Sequence, residues 1–159
     1  MARAPFQVIV FPFFYPPATE PLYAIFRRRT IQTMWQAISG GGEGSETPME
    51  AAVRETREEA GIGAADTWIR LDARASIPAS VFSGIEHWPT DLFVVPEYAF
   101  GVAVADTRVQ LSVEHAEHTW LPFQEAHQRL TWDSNRVALS IAVSIVLSTS
   151  QPNGSPSVT

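Results

Sequence analysis

Three glutamates, Glu55, Glu58 and Glu59, sit at a spacing that makes them neighbours on a helix. At 3.6 residues per turn, positions i, i+3 and i+4 share one side. Like charges placed this way repel one another. Hard oxygen ligands grouped so suit Mg²⁺ or Mn²⁺, and a divalent cation would turn the repulsion into binding energy. Six of the 17 acidic residues lie between Glu43 and Glu59, a density that asks for a cationic partner.

The segment that carries them has clear helix boundaries. Thr47 is an N-cap candidate, Pro48 suits the first helical position, and Glu50 completes a Thr-x-x-Glu capping box. Gly61 is a natural stop. The spacing predicts a helix over Pro48–Ala60, with Met49, Ala52, Val53, Thr56 and Ala60 as the stripe that packs on a sheet. Upstream, Phe6–Phe14 reads as a buried strand despite Pro12, and Leu22–Arg28 as a second strand paired with it. Trp35–Ser39 reads as a short strand ending in Gly40-Gly41-Gly42. Downstream, Trp68–Ala75 is strand-like and Ser76–Thr90 irregular. Asp91–Val104 reads as one or two strands broken near Pro96, and His118–Leu121 as a short strand. Phe123–Leu130 and Ser134–Leu147 read as helices. Residues 1–148 make one domain without internal repeats, and the Ser/Pro/Gly/Asn-rich tail 149–159 is expected to be disordered.

Composition narrows the chemistry. The 159 residues suffice for one core, and the absence of cysteine excludes disulfide, zinc-thiolate and thiol-nucleophile chemistry. The N-terminus lacks the apolar run of a signal peptide. Val137–Leu147 is about half a membrane span and is interrupted by Ser140 and Ser144, so a core helix is expected and no membrane association. A cytoplasmic location is the expectation. The net charge of −6 disfavours nucleic acid as a partner. No G-x-S-x-G is present, and no Lys-Ser/Thr follows Gly40–Gly44 as a Walker loop requires.

Gly40-x5-Glu46-x7-Arg54-Glu55-Thr56-Arg57-Glu58-Glu59-Ala60-Gly61-Ile62 resembles the Nudix box, G-x5-E-x7-R-E-U-x-E-E-x-G-U, where U is a bulky aliphatic residue. Every fixed residue is present, and the one departure is Thr56 at an aliphatic position. A solvated acidic face is the ordinary reading of a charge run. Chance would produce this pattern with a probability on the order of one in a million. The resemblance implies a Nudix-type α/β/α sandwich, with a mixed curved sheet between helices. It implies Glu55, Glu58 and Glu59 as metal ligands, one of them a general base, and Arg54 as a clasp between loop and helix through Glu46 and Glu55. Gly40, Glu46 and Gly61 then have structural roles, with Gly40 letting the chain turn after the strand. The implied reaction is attack of a metal-activated water on a phosphorus of a polyphosphate.

Outside the box, Arg28-Arg29, Trp35–Gly40, Val113–His115, Thr119–Leu121, Trp132 and Ser134–Arg136 resemble segments of bacterial dihydroneopterin triphosphate pyrophosphohydrolases. Ser76–Tyr98 and the lead-in Thr30–Met34 depart from them. A small nucleoside triphosphate-like substrate is therefore expected, either a dNTP or dihydroneopterin triphosphate, cleaved to monophosphate and pyrophosphate. Dinucleoside polyphosphates, nucleotide sugars or capped RNA are the enzymatic alternatives. A non-catalytic Nudix-fold binding module is the other, although such modules generally show eroded boxes. A homodimer is common among relatives of this type. Glu114 either adds a fourth metal ligand or is solvated, with Glu117 as the fallback. Of Arg28 and Arg29 only one can face the site, and Arg29 is favoured as the phosphate contact. Trp35 either stacks on a base or fills the core. His87 and Trp88 are read as packing on the body, His115 and His118 as structural or exposed, and Trp132 as core or rim.

Overall fold

A computed structural model of the protein describes residues 1–63 and 66–149. The expected disordered tail lies outside the described residues except for Thr149, which ends the last helix. The elements are β1 (Arg3–Phe14), β2 (Leu22–Arg28), β3 (Trp35–Gln36), β4 (Ile38–Glu43), α1 (Pro48–Ala60), β5 (Thr67–Pro78), β6 (Val94–Ala103), β7 (His115–Pro122), α2 (Phe123–Arg129) and α3 (Asp133–Thr149).

β1 organises the sheet, because it is buried on both faces and therefore reads as an unbroken apolar run. Val8 and Val10 face α1, packing with Ala51, Ala52 and Ala60. Ile9, Phe11 and Phe13 face the other way, onto Ala126 of α2 and Ala138, Leu139 and Ala142 of α3. The result is the expected α/β/α sandwich. The sheet is mixed: β1 runs parallel to β6 and antiparallel to β2 and β4. Pro12 falls where β1 exchanges partners, after its last pair with β4 at Val10 and before its first with β2 at Phe13. A missing ladder donor is tolerated at such a discontinuity.

Several expected boundaries move. The glycines Gly40–Gly42 are strand residues of β4, and the reversal comes afterwards, at Gly44-Ser45. Ser76–Pro78 continue β5, and Ala79–Val81 form a 3₁₀ turn. β6 is unbroken at Pro96, which pairs with Ser76 ahead of the point where β1 joins at Gln7–Glu97. Trp88 closes the following loop, buried with Ala79 and Val95 and donating from Nε1 to the Arg3 carbonyl at 2.7 Å. Among the described residues no helix is long and apolar enough to cross a membrane.

α3 is locked to the sheet by a polar contact. The buried Asn135 accepts from the Ala37 N–H through Oδ1 at 2.8 Å, at the short connection between β3 and β4. Asn135→Ala leaves that N–H unpaired, so chemical denaturation should show a loss of about 1–3 kcal/mol.

Candidate functional site

The capping box forms as the sequence requires, with Thr47 Oγ1 accepting from Glu50 N–H and the Glu50 carboxylate accepting from Thr47 N–H at 2.8 Å. The helix ends at Gly61, whose φ of 69° is left-handed and costs glycine little. With both ends fixed, α1 presents Arg54, Glu55, Glu58 and Glu59 toward the β4 edge.

Arg54 ties this region together. Its Nε and Nη2 donate to Glu46 at 2.8 and 3.0 Å, a forked pair. Nη2 also donates to the Gly41 carbonyl at 2.8 Å, and Nη1 donates to Glu55 at 2.8 Å and Glu58 at 3.3 Å. The Arg54 hydrogen bond holds Glu46 below the usual carboxylate range. The expected clasp from Arg54 to Glu46 and Glu55 is therefore present, with Gly41 and Glu58 as further partners.

Glu55 is only 14% exposed, and burial pushes its pKa up to about 7. Arg54 opposes the shift, while Glu59 and Glu58 add to it. Gly40 makes room for this carboxylate: a Cβ at Gly40 would lie 1.9 Å from Glu55 Cδ. What requires glycine at position 40 is therefore close approach within a strand, not the turn that the resemblance implies. Glu59 is buried and accepts from His115 Nε2 at 2.9 Å, with the Ser39 N–H at 3.4 Å. His115 is fully buried against Phe26, so its position fixes Glu59. Glu58 is 60% exposed. Among the described residues no three acidic or histidine side chains stand together at metal-binding distance, since Glu55 and Glu58 are turned onto Arg54 and Glu59 onto His115.

A cleft of about 940 Å³ opens beside these carboxylates. Glu55, Glu59, Ser39, Gly40, Gly41, Arg28 and Glu114 border one part of it. Glu97, Gln7, Ser76 and Trp132–Asn135 border another. The structure places the three expected substrate contacts in different surroundings. Arg29 does not line the cleft: its guanidinium donates to the Val113 and His115 carbonyls at 2.8 and 3.1 Å and so holds the Glu114 loop. Arg28, the less favoured of the pair, lines the cleft. Trp35 packs on the core beneath Arg129 rather than in the cleft. Trp132, 47% exposed, is an aromatic at the cleft rim, and Phe82 also lines the cleft. Glu114 is exposed on the cleft wall, whereas Glu117 pairs with Arg27 at 3.0 Å. Thr56 is fully buried, as an aliphatic residue would be.

Sequence reasoning missed three residues. Arg3 lies over Gly41, reaches Gln7 Oε1 at 2.8 Å, and keeps a buried Nε without a partner. Glu97 is 7% exposed on the cleft wall. Gln7 lies beside it in the sheet. Only Glu97 left a trace in the sequence, as a lone carboxylate in the otherwise apolar VVPEYAFGV.

The NUDIX domain profile matches residues 6–140, most of the chain. The protein belongs to the NUDIX family. A Listeria monocytogenes protein assigned as a NUDIX hydrolase superposes with a TM-score of 0.82 at 34% identity, covering 92% of this chain and 97% of the other. The dihydroneopterin triphosphate diphosphatase of Escherichia coli K12 is 28% identical over 117 residues, 72% of this chain and 78% of that protein. The structure of the E. coli dihydroneopterin triphosphate pyrophosphohydrolase gives a TM-score of 0.71 at 25% identity, covering 90% and 97% of the two chains. The protein is thus a Nudix hydrolase, and the box glutamates, Arg54 and Gly40 occupy the helix and strand described above.

Two outcomes follow from the Glu55 environment. Gly40→Ala drives a methyl group into Glu55, so kcat/KM should fall about 100-fold or more while circular dichroism stays unchanged. Glu55 titrates near 4.5 when unfolded and about 7 when folded, so the folded state holds the extra proton between those values. Its ionisation therefore destabilises the metal-free protein progressively from pH 4.5 and fully above pH 7, by at most about 3 kcal/mol. Urea unfolding across this window should show the loss in wild type and not in Glu55→Gln. Parallel curves would refute it.

Proposed function

We propose that the protein is a divalent-metal-dependent pyrophosphohydrolase that cleaves a nucleoside triphosphate-like substrate, a dNTP or dihydroneopterin triphosphate, to a monophosphate and pyrophosphate. The observation that carries this reading is the half-buried Glu55 lining a cleft large enough for a nucleotide, with Glu58 and Glu59 on the same side of α1. The E. coli dihydroneopterin triphosphate enzyme, similar in both sequence and structure, supports the substrate class.

The residues present fit a hard cation. All three box glutamates offer carboxylate oxygens, and the mutual repulsion that helps raise Glu55 is relieved by added positive charge. Glu55, Glu58 and Glu59 would hold Mg²⁺ or Mn²⁺, with Glu114 of the same cleft as a further ligand. Such an ion supplies Lewis-acid stabilisation of phosphate oxygens and lowers the pKa of water. Arg54 keeps the β4–α1 connection and Glu55 in register. Arg28 and Arg3 line the cleft and would offer guanidinium groups to the phosphates. One of the three glutamates, directly or through a bound water, would accept the proton of the attacking water.

Incubating the protein with Mg²⁺ and a panel of dNTPs, rNTPs, dihydroneopterin triphosphate, dinucleoside polyphosphates and nucleotide sugars tests this directly. The expected products are a monophosphate and pyrophosphate, abolished by EDTA and lowered at least 100-fold in Glu58→Gln at unchanged melting temperature. Wild-type turnover by Glu58→Gln would refute the ligand assignment. Turnover confined to dinucleoside polyphosphates or nucleotide sugars would refute the substrate class.

A further inference from the structure

Across the sheet, Ala75, Glu97, Gln7 and Gly41 form one row of register partners on β5, β6, β1 and β4. Glu97 is therefore two strand spacings, about 10 Å, from Gly41, which borders the carboxylate end of the cleft. Strand alternation puts Gln7 on the same face as Ile9, and Glu97 on the same face as Ala99. Both side chains line the cleft. Their hydrogen-bonding states differ. Gln7 uses its amide oxygen to accept from Arg3, which leaves the amide nitrogen as a donor without a partner among the described residues. Glu97 offers acceptor oxygens, and among the described residues the Ser134 hydroxyl is its hydrogen-bonding neighbour. Burial raises its pKa, the sign of a carboxyl kept from water without a countercharge. Neighbouring polar groups are already engaged: Asn135 Oδ1 on Ala37 N–H, and Gln36 Oε1 within 3.4 Å of Trp132 Nε1.

The cleft wall thus presents a donor at Gln7 and, one strand further from the box, a pair of acceptors at Glu97. The complementary ligand edge runs acceptor, donor, donor. A 2-amino-4-oxopyrimidine edge has this order: a carbonyl oxygen, a ring N–H and an exocyclic amino group. Guanine and pterin rings share it. Adenine reverses the first two positions, and hypoxanthine lacks the amino group. Trp132 at the rim supplies an aromatic face for such a ring.

We propose that Gln7 and Glu97 form the specificity subsite of this cleft and select heterocycles with a 2-amino-4-oxopyrimidine edge, Gln7 donating to the carbonyl and Glu97 accepting from the ring N–H and amino group. The orientation, with polyphosphate toward Glu55 and ring toward Glu97, rests on the reading of the site as a triphosphate hydrolase. A buried polar subsite of this kind discriminates strongly, because the wrong ring leaves its groups unpaired.

Equilibrium binding of GMP, IMP and AMP to the full chain in EDTA, followed by isothermal titration calorimetry, tests the subsite without turnover. Wild type should bind GMP at least tenfold more tightly than IMP or AMP. Glu97→Gln, at unchanged or raised melting temperature, should bring GMP to within about twofold of IMP. Gln7→Glu, which keeps the Arg3 partner and replaces the donor with an acceptor, should weaken GMP about tenfold. Equal binding of the three nucleotides by wild type, a preserved GMP preference in Glu97→Gln, or unchanged GMP affinity in Gln7→Glu would each overturn the proposal. Mg²⁺-dependent pyrophosphate release measured in parallel separates the two readings. Release without ring preference sinks the subsite alone, and ring preference without release sinks the hydrolase reading alone.

Discussion

The Arg54 guanidinium is the interaction on which the rest of the site depends. It meets a strand carbonyl at Gly41, a loop carboxylate at Glu46, and two helix carboxylates at Glu55 and Glu58. A planar fork with five donors can satisfy this many acceptors at once, and an ammonium group cannot. Without it the α1 carboxylates would lose their hydrogen-bonded cation and face each other, with Arg3 acting on Glu55 through its charge alone. The clasp also sets how near α1 approaches β4, which is why Gly40 has no room for a methyl group.

That geometry has an electrostatic consequence. Glu55 is held close to a strand backbone, mostly out of water, and its charge is only partly met by Arg54. The site is thus preorganised around an unresolved negative charge, a cost carried by the sandwich on either side of β1. Buried residues on both faces of that strand anchor α1 through Val8 and Val10, and α3 through Ile9 and Phe11. The same strand therefore fixes the box helix and the far wall of the cleft relative to one another.

The cleft walls come from segments far apart in the chain. β1 brings Arg3 and Gln7, β6 brings Glu97, and the start of α3 brings Trp132 to Asn135. Register supplies the alignment: the parallel pairing of β1 with β6 sets Gln7 beside Glu97. Local tethers supply the remainder, with Asn135 bound to Ala37 N–H and Arg29 bound to the carbonyls either side of Glu114.

Much of the box helix was legible because its signals are local. The capping box, Pro48, Gly61 and the i, i+3, i+4 glutamates act within a few residues, and Pro48–Ala60 forms as read. The continuous apolar run of β1 likewise announced a strand buried on both sides. Gly40 was misread because a close approach to Glu55 is a tertiary contact, invisible in a sequence where glycine also signals a turn. The choice between Arg28 and Arg29 depended on which one the Val113–His115 carbonyls would capture, and Trp35 was claimed by the core beside Arg129. Glu97, Gln7 and Arg3 have no motif, because their meaning arises only when strand pairing brings them to one wall. The sequence by itself determined the acidic helix and its family, since those depend on short-range spacing. Only the tertiary structure decided which side chains border the cleft, because that depends on register and packing between segments that the chain order keeps apart.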